Sequence, residues 1–512
     1  MASNPLRHVF PDSVITGWDF STSGVKCLAF DTHGNTLAEV RLTTDLWTDG
    51  GVTELNIAQL EGQARGSVRA MAAKLRELGK LDRWVAGGIS ATHHTAGRID
   101  ANRVQVRRAI CWNDETLDAF HKVGLKRLGG QKRVRELIGG PWAVRYSLSH
   151  LVKDEDSLDE ADWRRTYRIL PHGPLAAGYL TGKFDVISVS AAASTGLMDL
   201  RTNQWRHEML DALAEPAHRD LAWSHLPKII DQFDPIGSLL PPLASEVGID
   251  AKHIPMIFPT SDDQQAGLVG GGAVDAGQLA VILGTSAVVN ASSATLPATD
   301  DLDAMKLNWG PYLWMRCYSN GSASVNRLVG GRDWAELEEK ARSADPVPGG
   351  TVAIPFYAKE PSLGVKSKRV GWHPKKPAKS GPRARAALES LAYLIKLGVD
   401  QHEAAGQAVQ QISVSGGVAR NRLMCEILAS VLGKPVRLLA SDEGPALGAA
   451  VTALAALESY RRKQHGESDP FTVADAVAQM VTFRETIDPN PEWQPAYEKG
   501  LRKFVKAAGI KR

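Results

Sequence analysis

The chain has 512 residues, of which 43% are hydrophobic and 23% charged, with 47 glycines and a formal net charge of +3. Two or more domains are expected at this length, and so small a charge gives no support to a nucleic-acid or membrane-surface partner, which needs a concentrated basic face. The amino terminus lacks the apolar core of a signal peptide, no later run reaches the roughly 18 apolar residues of a membrane span, and Cys27, Cys111, Cys317 and Cys425 lie too far apart for a zinc site or a disulfide framework. A cytoplasmic protein with reduced thiols, and without a membrane or nucleic-acid partner, is the expectation.

Val14 to Trp18 reads as a strand running into Asp19, followed by the small polar turn Phe20-Ser21-Thr22-Ser23-Gly24 and a second strand from Val25 to Phe30. Asp31-Thr32-His33-Gly34 turns the chain again into Asn35 to Val40, a spacing that predicts an antiparallel meander. Val85 to Ser90 reads as a buried strand, and the apolar spacing over 205–215 predicts a helix. Leu279 to Leu283, the turn Gly284-Thr285-Ser286 and the run Ala287-Val288-Val289 repeat the opening layout, which suggests duplicated domains and a ligand cleft between them. Residues 359–385 are rich in Lys, Arg, Pro and Gly with Glu360 as the single acid; they read as a solvated loop, with phosphate or substrate steering as the alternative. A helix is predicted over 385–400, then the strand Ile412 to Ser415, Gly416-Gly417, a helix carrying Leu423, Ile427, Leu428, Val431 and Leu432, and the strand Val436 to Leu439. Gly444-Pro445 opens a helix from Ala446 to about Leu457, and the charged tail from 459 reads as a helical extension on the second domain. Strands alternating with helices make the chain α/β.

Phosphoryl transfer needs a cradle for phosphates, a metal ion and a group that takes the proton of the attacking hydroxyl. The P-loop pattern, a well-placed G-x-G-x-x-G and the nucleophile elbow G-x-S-x-G are all missing from the sequence, so a P-loop ATPase, a dinucleotide-binding dehydrogenase and an α/β-hydrolase lose ground. The segment from Asp19 to Lys26 offers a different cradle. Its turn of small residues can present N–H groups and hydroxyls to an anion, Asp19 can hold magnesium through water, and Lys26 adds positive charge. A hairpin turn with a capping aspartate accounts for the same residues.

That segment is similar to the phosphate-binding strand–turn–strand of the sugar kinase, actin and heat-shock chaperone superfamily, and further stretches resemble FGGY carbohydrate kinases. Ala109-Ile110-Cys111-Trp112-Asn113-Asp114 resembles the A-I-x-W-N-D run of xylulokinases, and Asp263-Gln264-Gln265-Ala266 resembles the D-Q-Q-A that carries the catalytic aspartate. Leu283-Gly284-Thr285-Ser286 resembles the second phosphate turn, and Arg385 to Glu389 resembles the late helix signature. Ser415-Gly416-Gly417 with Asn421 looks like the adenosine segment, and Gly444 to Ala450 closes the pattern. The matches keep family order from about residue 14 to 456.

The resemblance implies two ribonuclease H-like domains, each a mixed β-sheet flanked by helices, with a nucleotide cleft between them: 13–260 for substrate and first phosphate turn, 261–458 for nucleotide, and an extension over 459–512. It implies an ATP- and Mg2+-dependent kinase for a small sugar or polyol, with D-xylulose as the leading substrate and ribulose or another pentulose or polyol next. Asp263 would be the general base and, with Asp19, a metal ligand, although an N-cap aspartate is the bland reading and Asp262 is equally acidic. His94, Thr92, His93, Trp112, Asn113, Asp114 and Asp263 would face the sugar. Ser21, Thr22, Ser23, Lys26, Gly284, Thr285, Ser286, Gly416, Gly417 and Asn421 would face ATP and its phosphates, unless Asn421 only caps its helix. A metal site on His93 and His94 is discounted, because the sequence shows no carboxylate or cysteine cluster to match it.

The sequence departs from the pattern mainly on the substrate side. Xylulokinases have S-G-Q-M-H where Ser90-Ala91-Thr92-His93-His94 stands, and glycine is usual at 262. The P-K-x-x-W signature becomes Ser147 to Leu151, and E-R-T-P survives only as Glu360-Pro361. A catalytically silent sugar- or nucleotide-binding regulator and an actin-like or chaperone-like ATPase are the rivals from other classes. A homodimer is compatible with the pattern.

Overall fold

Small residues close the first turn as their chemistry allows. Ser21 N–H donates to the Gly24 carbonyl over 2.9 Å, and Ser21 Oγ donates to the same oxygen over 2.8 Å. The strands Val14–Phe20 and Gly24–Phe30 therefore pair antiparallel, and Thr36–Thr43 continues the meander. Residues 4–299, 301–330 and 333–510 are described by the computed structural model. They form two units: Met1–Gly270 with Ala304–Tyr312 and Pro445–Val481, and Gly271–Asp303 with Leu313–Gly444 and Thr482–Arg512.

In the first unit the meander joins a larger sheet, because Val14–Phe20 pairs parallel with Trp84–Ala91, which also carries Ser261–Asp262 on its other edge. The register sets Asp19 opposite Ser90 and Ala91 opposite Asp262. The helix Ile57–Glu77 buries Leu60, Ala64, Val68, Met71 and Leu75, a helical spacing that turns one apolar stripe into the core beneath the sheet. The helix Gly444–Gln464 reaches the sheet at Gly17, where a Cβ would lie 1.8 Å from the Ala446 carbonyl oxygen. Only glycine permits that approach. A second sheet runs Leu46–Asp49, Val52–Leu55, Gln105–Ile110, Ala96–Asp100, Thr166–Pro171. Beside it, fully buried Arg98 and largely buried Arg107 both donate to Asp154, at 2.7 and 2.6 Å.

The second unit repeats the plan. Gln278–Leu283 pairs antiparallel with Ala287–Ser293 and parallel with Gln411–Ser415, which pairs in turn with Val436–Leu439. The helix Ser380–Ala404 packs on this sheet, and Arg385 within it stacks 4.3 Å above Trp493 and bonds Tyr497 Oη, tying down the final helix Gln494–Ala508. The α/β class with helix-flanked sheets in two repeated units is thus borne out.

Three local expectations change. Residues 205–215 hold the end of the two-residue strand Gln204–Trp205 and the short 3-10 segment His207–Ala212, whose Met209 and Leu210 enter the core with Leu213. The basic stretch is not simply a loop: Arg369–His373 pairs antiparallel with Val352–Phe356 and the chain is helical from Ser380, while Lys366, Lys368, Lys375, Lys376 and Lys379 lie exposed outside these elements and Arg385 is buried. The tail divides, since residues up to Val481 count with the first unit and Thr482 onward with the second, where Phe483–Ile487 pairs with Val436–Leu439.

Candidate active site

Strand ends deliver carboxylates to one place. Asp19 closes the strand Val14–Phe20, and Ser90 on the neighbouring strand donates its hydroxyl to Asp19 Oδ1 over 3.1 Å. One strand further, Asp262 ends the short strand Ser261–Asp262 and Asp263 begins the helix Asp263–Gly270. The capping role falls to Asp262: its Oδ1 accepts the N–H groups of Gln264 and Gln265 at 2.9 and 2.8 Å. The N-cap reading of Asp263 is therefore corrected, and that side chain stands in the first helical turn, half-buried.

Burial pushes the Asp263 carboxyl up to about 8, and the nearby charges of Asp262 and Asp19 add to the rise. Two residues 244 positions apart in the sequence therefore feel one another directly. The His93 N–H donates to Asp263 Oδ1 over 3.2 Å, and His93 Nε2 lies 3.7 Å from Asp262 Oδ2. Ligand atoms of His93, Asp262 and Asp263 all fall within 4.8 Å of one another, so the carboxylates that the sequence did not reveal beside His93 are present.

His94 is held in a left-handed conformation, φ 62°, which is uncommon for a residue with a Cβ and costs on the order of 1 kcal/mol. Its ring lies between those of His93 and Tyr146, at centroid distances of 3.7 and 4.4 Å, and its Nδ1 bonds the Ser194 carbonyl over 2.8 Å. Burial holds this imidazole well below its usual range, with the charges of His93 and Arg145 adding to the effect. It is a neutral ring whose Nε2 has no hydrogen-bond partner among the described residues. The hydroxyl and the N–H of Thr92 both donate to the Phe20 carbonyl.

The other expected sugar-facing residues are set apart in role. Trp112 and Asn113 are exposed, whereas Asp114 is buried and engaged by Lys153 Nζ at 3.0 Å, Thr116 Oγ1, and the N–H groups of Thr116 and Thr53. Burial alone would raise the Asp114 carboxyl, but Thr116 and Lys153 outweigh it and hold it below the usual range.

Among the phosphate candidates of the first unit, Ser21 and Ser23 share a 3.1 Å hydroxyl contact, Thr22 is half-buried at the same turn, and Lys26 pairs in register with Asp19. In the second unit Gly284-Thr285-Ser286 is a tight turn, closed by the Gly284 N–H to Ser286 carbonyl bond and backed by Gly321 and Ser322, and it leaves Thr285 exposed. Gly416, at φ 92°, and exposed Gly417 follow the strand Gln411–Ser415. Asn421 is buried as an N-cap: its Oδ1 accepts the Met424 N–H and its Nδ2 donates to the Trp334 carbonyl. The capping alternative describes it.

Sequence reasoning missed the support around Asp262. Ser190 Oγ donates to Asp262 Oδ2 over 2.6 Å, and Asn308 joins the Ser190 N–H, the Thr260 carbonyl and Gln265 Oε1. No local pattern marks Ser190 or Asn308, since both act on residues far away in the chain.

Models of the FGGY family of carbohydrate kinases match residues 14–270, its N-terminal domain, and 279–457, its C-terminal domain. The chain belongs to this family. It is a carbohydrate kinase, a phosphotransferase for which ATP binding is expected. The FGGY chain is 27% identical over 458 residues to the xylulose kinase of Escherichia coli (strain K12), covering 85% of this chain and 88% of that one. It is 26% identical over 469 residues to glycerol kinase 2 of Streptomyces avermitilis, covering 85% and 87%. A ligand-bound xylulose kinase structure from Lactobacillus acidophilus shares the fold, with a TM-score of 0.82 at 18% identity over 97% of this chain and 98% of that one. Among the described residues no helix is long and apolar enough to cross a membrane.

Proposed function

We propose that this FGGY kinase transfers the γ-phosphoryl group of ATP to a hydroxyl of a small ketose or polyol, with D-xylulose the leading substrate and ribulose or another pentulose or polyol next. The single observation that carries the reading is Asp263, a half-buried carboxylate at a helix start, facing Asp19 and adjoining the His93-His94 strand end. A carboxylate raised to about 8 is a competent base near neutral pH. Asp263 accepts the proton of the acceptor hydroxyl as its oxygen bonds to phosphorus and the bond to the ADP oxygen breaks. His94, kept neutral and with Nε2 open, offers a hydrogen bond that orients a sugar hydroxyl.

The charge of Asp19 adds to the rise of the Asp263 carboxyl, and two carboxylates are a donor set that fits an oxygen-seeking divalent cation. Mg2+ held there would neutralise charge on the phosphates. On the first unit Ser21, Thr22, Ser23 and Lys26 would steady phosphate. On the second, Gly284, Thr285, Ser286, Gly416 and Gly417 would offer backbone N–H groups and hydroxyls to the nucleotide.

A panel of pentuloses, hexuloses and polyols, read by coupled ADP release, tests the proposal. Turnover on D-xylulose above all others supports it, and preference for another acceptor reassigns the substrate. Saturable sugar binding with no ADP release from any member favours the silent regulator, the reading to which the altered residues at 92, 93 and 262 would then belong.

A further inference from the structure

We propose that His93, Asp262 and Asp263 form a site that directly ligates a divalent transition cation of the Mn2+, Co2+ or Zn2+ class, without nucleotide or sugar. The inference stands apart from the choice of sugar and from the water-mediated magnesium of the phosphoryl-transfer step. It rests on three side chains from two segments whose ligand atoms lie within 4.8 Å of one another, the imidazole Nε2 and Asp262 Oδ2 being 3.7 Å apart. Bonds of about 2.1 Å to a common ion bring ligand atoms to roughly 3.0–3.6 Å, so small side-chain rotations complete the set.

Two of the three ligands, Asp262 and His93, are oriented from outside the cluster, as ligating groups are, and Asp263 accepts the His93 N–H. Ser190 Oγ fixes Asp262 Oδ2 at 2.6 Å. Two backbone N–H groups occupy Asp262 Oδ1, which leaves one lone-pair direction on Oδ2 for a metal. The His93 ring is set by stacking on His94, 13° from parallel, and His94 is itself anchored to Ser194. His93 and Asp262 are 5% exposed while Asp263 is half-buried, so the third ligand marks the path of entry. An imidazole with two carboxylates suits Mn2+, Co2+ and Zn2+, whereas Mg2+ prefers oxygen and retained water. Both His93 and Asp262 stand where the resemblance has Met and Gly, side chains that supply no such ligand.

The test is Co2+ titration of the chelator-treated full chain, followed by visible absorption, with calorimetry for stoichiometry. One Co2+ per chain is expected, with bands that survive about tenfold excess Mg2+. H93Q should lose the bands, D262N should weaken binding at least about tenfold while keeping a capping oxygen, and S190A should weaken it about tenfold through the lost orientation. Circular dichroism melts accompany each variant, and D262N or S190A carries the test if H93Q does not fold. Absence of Co2+ uptake by the parent, displacement by equimolar Mg2+, or unchanged affinity in the folded variants would overturn the site.

Discussion

The N–H of His93 donates to Oδ1 of Asp263 over 3.2 Å, which couples the segment after one strand to the first residue of a helix 170 positions later. An asparagine keeps an oxygen for that bond and loses the proton-accepting charge. D263N should therefore lower kcat about 10²- to 10⁴-fold, the usual worth of a general base, while the Kd for ATP changes by no more than about twofold. Steady-state ADP release and equilibrium nucleotide binding check this, and turnover near the parent's would move the base elsewhere.

The raised Asp263 carboxyl sets two pH trends. Its base form is gained as pH rises, so kcat/KM, which reports the free enzyme, should climb about tenfold per unit below about 8 and then level off. Stability moves the other way. From the ordinary carboxylate range up to about 8 the folded chain keeps a proton that the unfolded chain releases, so stability falls as pH rises through that window. Thermal melts of the parent and of D263N between pH 5 and 8.5 should converge at the acid end and separate in the variant's favour at the alkaline end.

Asp154 holds two guanidiniums in a place where water cannot replace it. D154N keeps the shape and leaves Arg98 and Arg107 without a counter-charge, at a cost of about 3–5 kcal/mol. Urea unfolding monitored by tryptophan fluorescence should show the midpoint fall; a drop below about 1 kcal/mol would mean that the arginines find other partners.

At Gly448 a Cβ would lie 1.9 Å from the Ala266 carbonyl oxygen, and backbone cannot yield as a flexible side chain does. G448A should destabilise by about 3 kcal/mol or more, seen as a lower melting temperature and reduced soluble yield. A melt unchanged from the parent would show that the helix shifts to make room.

Much of this is legible in the sequence. The strand–turn–strand at 14–30 and its counterpart at 278–293 announced themselves because Gly, Ser and Thr turns interrupt apolar runs, and the family's motifs kept their order. The choice between Asp262 and Asp263 was not legible by propensity, since either acid can cap a helix. Only Gln264 and Gln265 pointing their N–H groups at Asp262 separates the two roles. The strand Arg369–His373 hid inside a lysine-rich stretch because it is only five residues long and lysines flank it on both sides. Ser190 and Asn308 carried no signal at all, since their partners lie 72 and 43 to 118 residues away. The bond from Lys153 to Asp114 was hidden for the same reason, since the helix Ser147–Ser157 supplies it from 39 residues further on.

The helix that begins at Gly444 returns the chain to its opening strand after the second unit has been built. A gene truncated after residue 270 would encode every carboxylate of the site and still yield a sheet with Gly17 bare to solvent. Residues 304–312 and 445–481 complete the first unit, so expression of residues 1–270 alone should give aggregate, and supplying both later segments should recover soluble material.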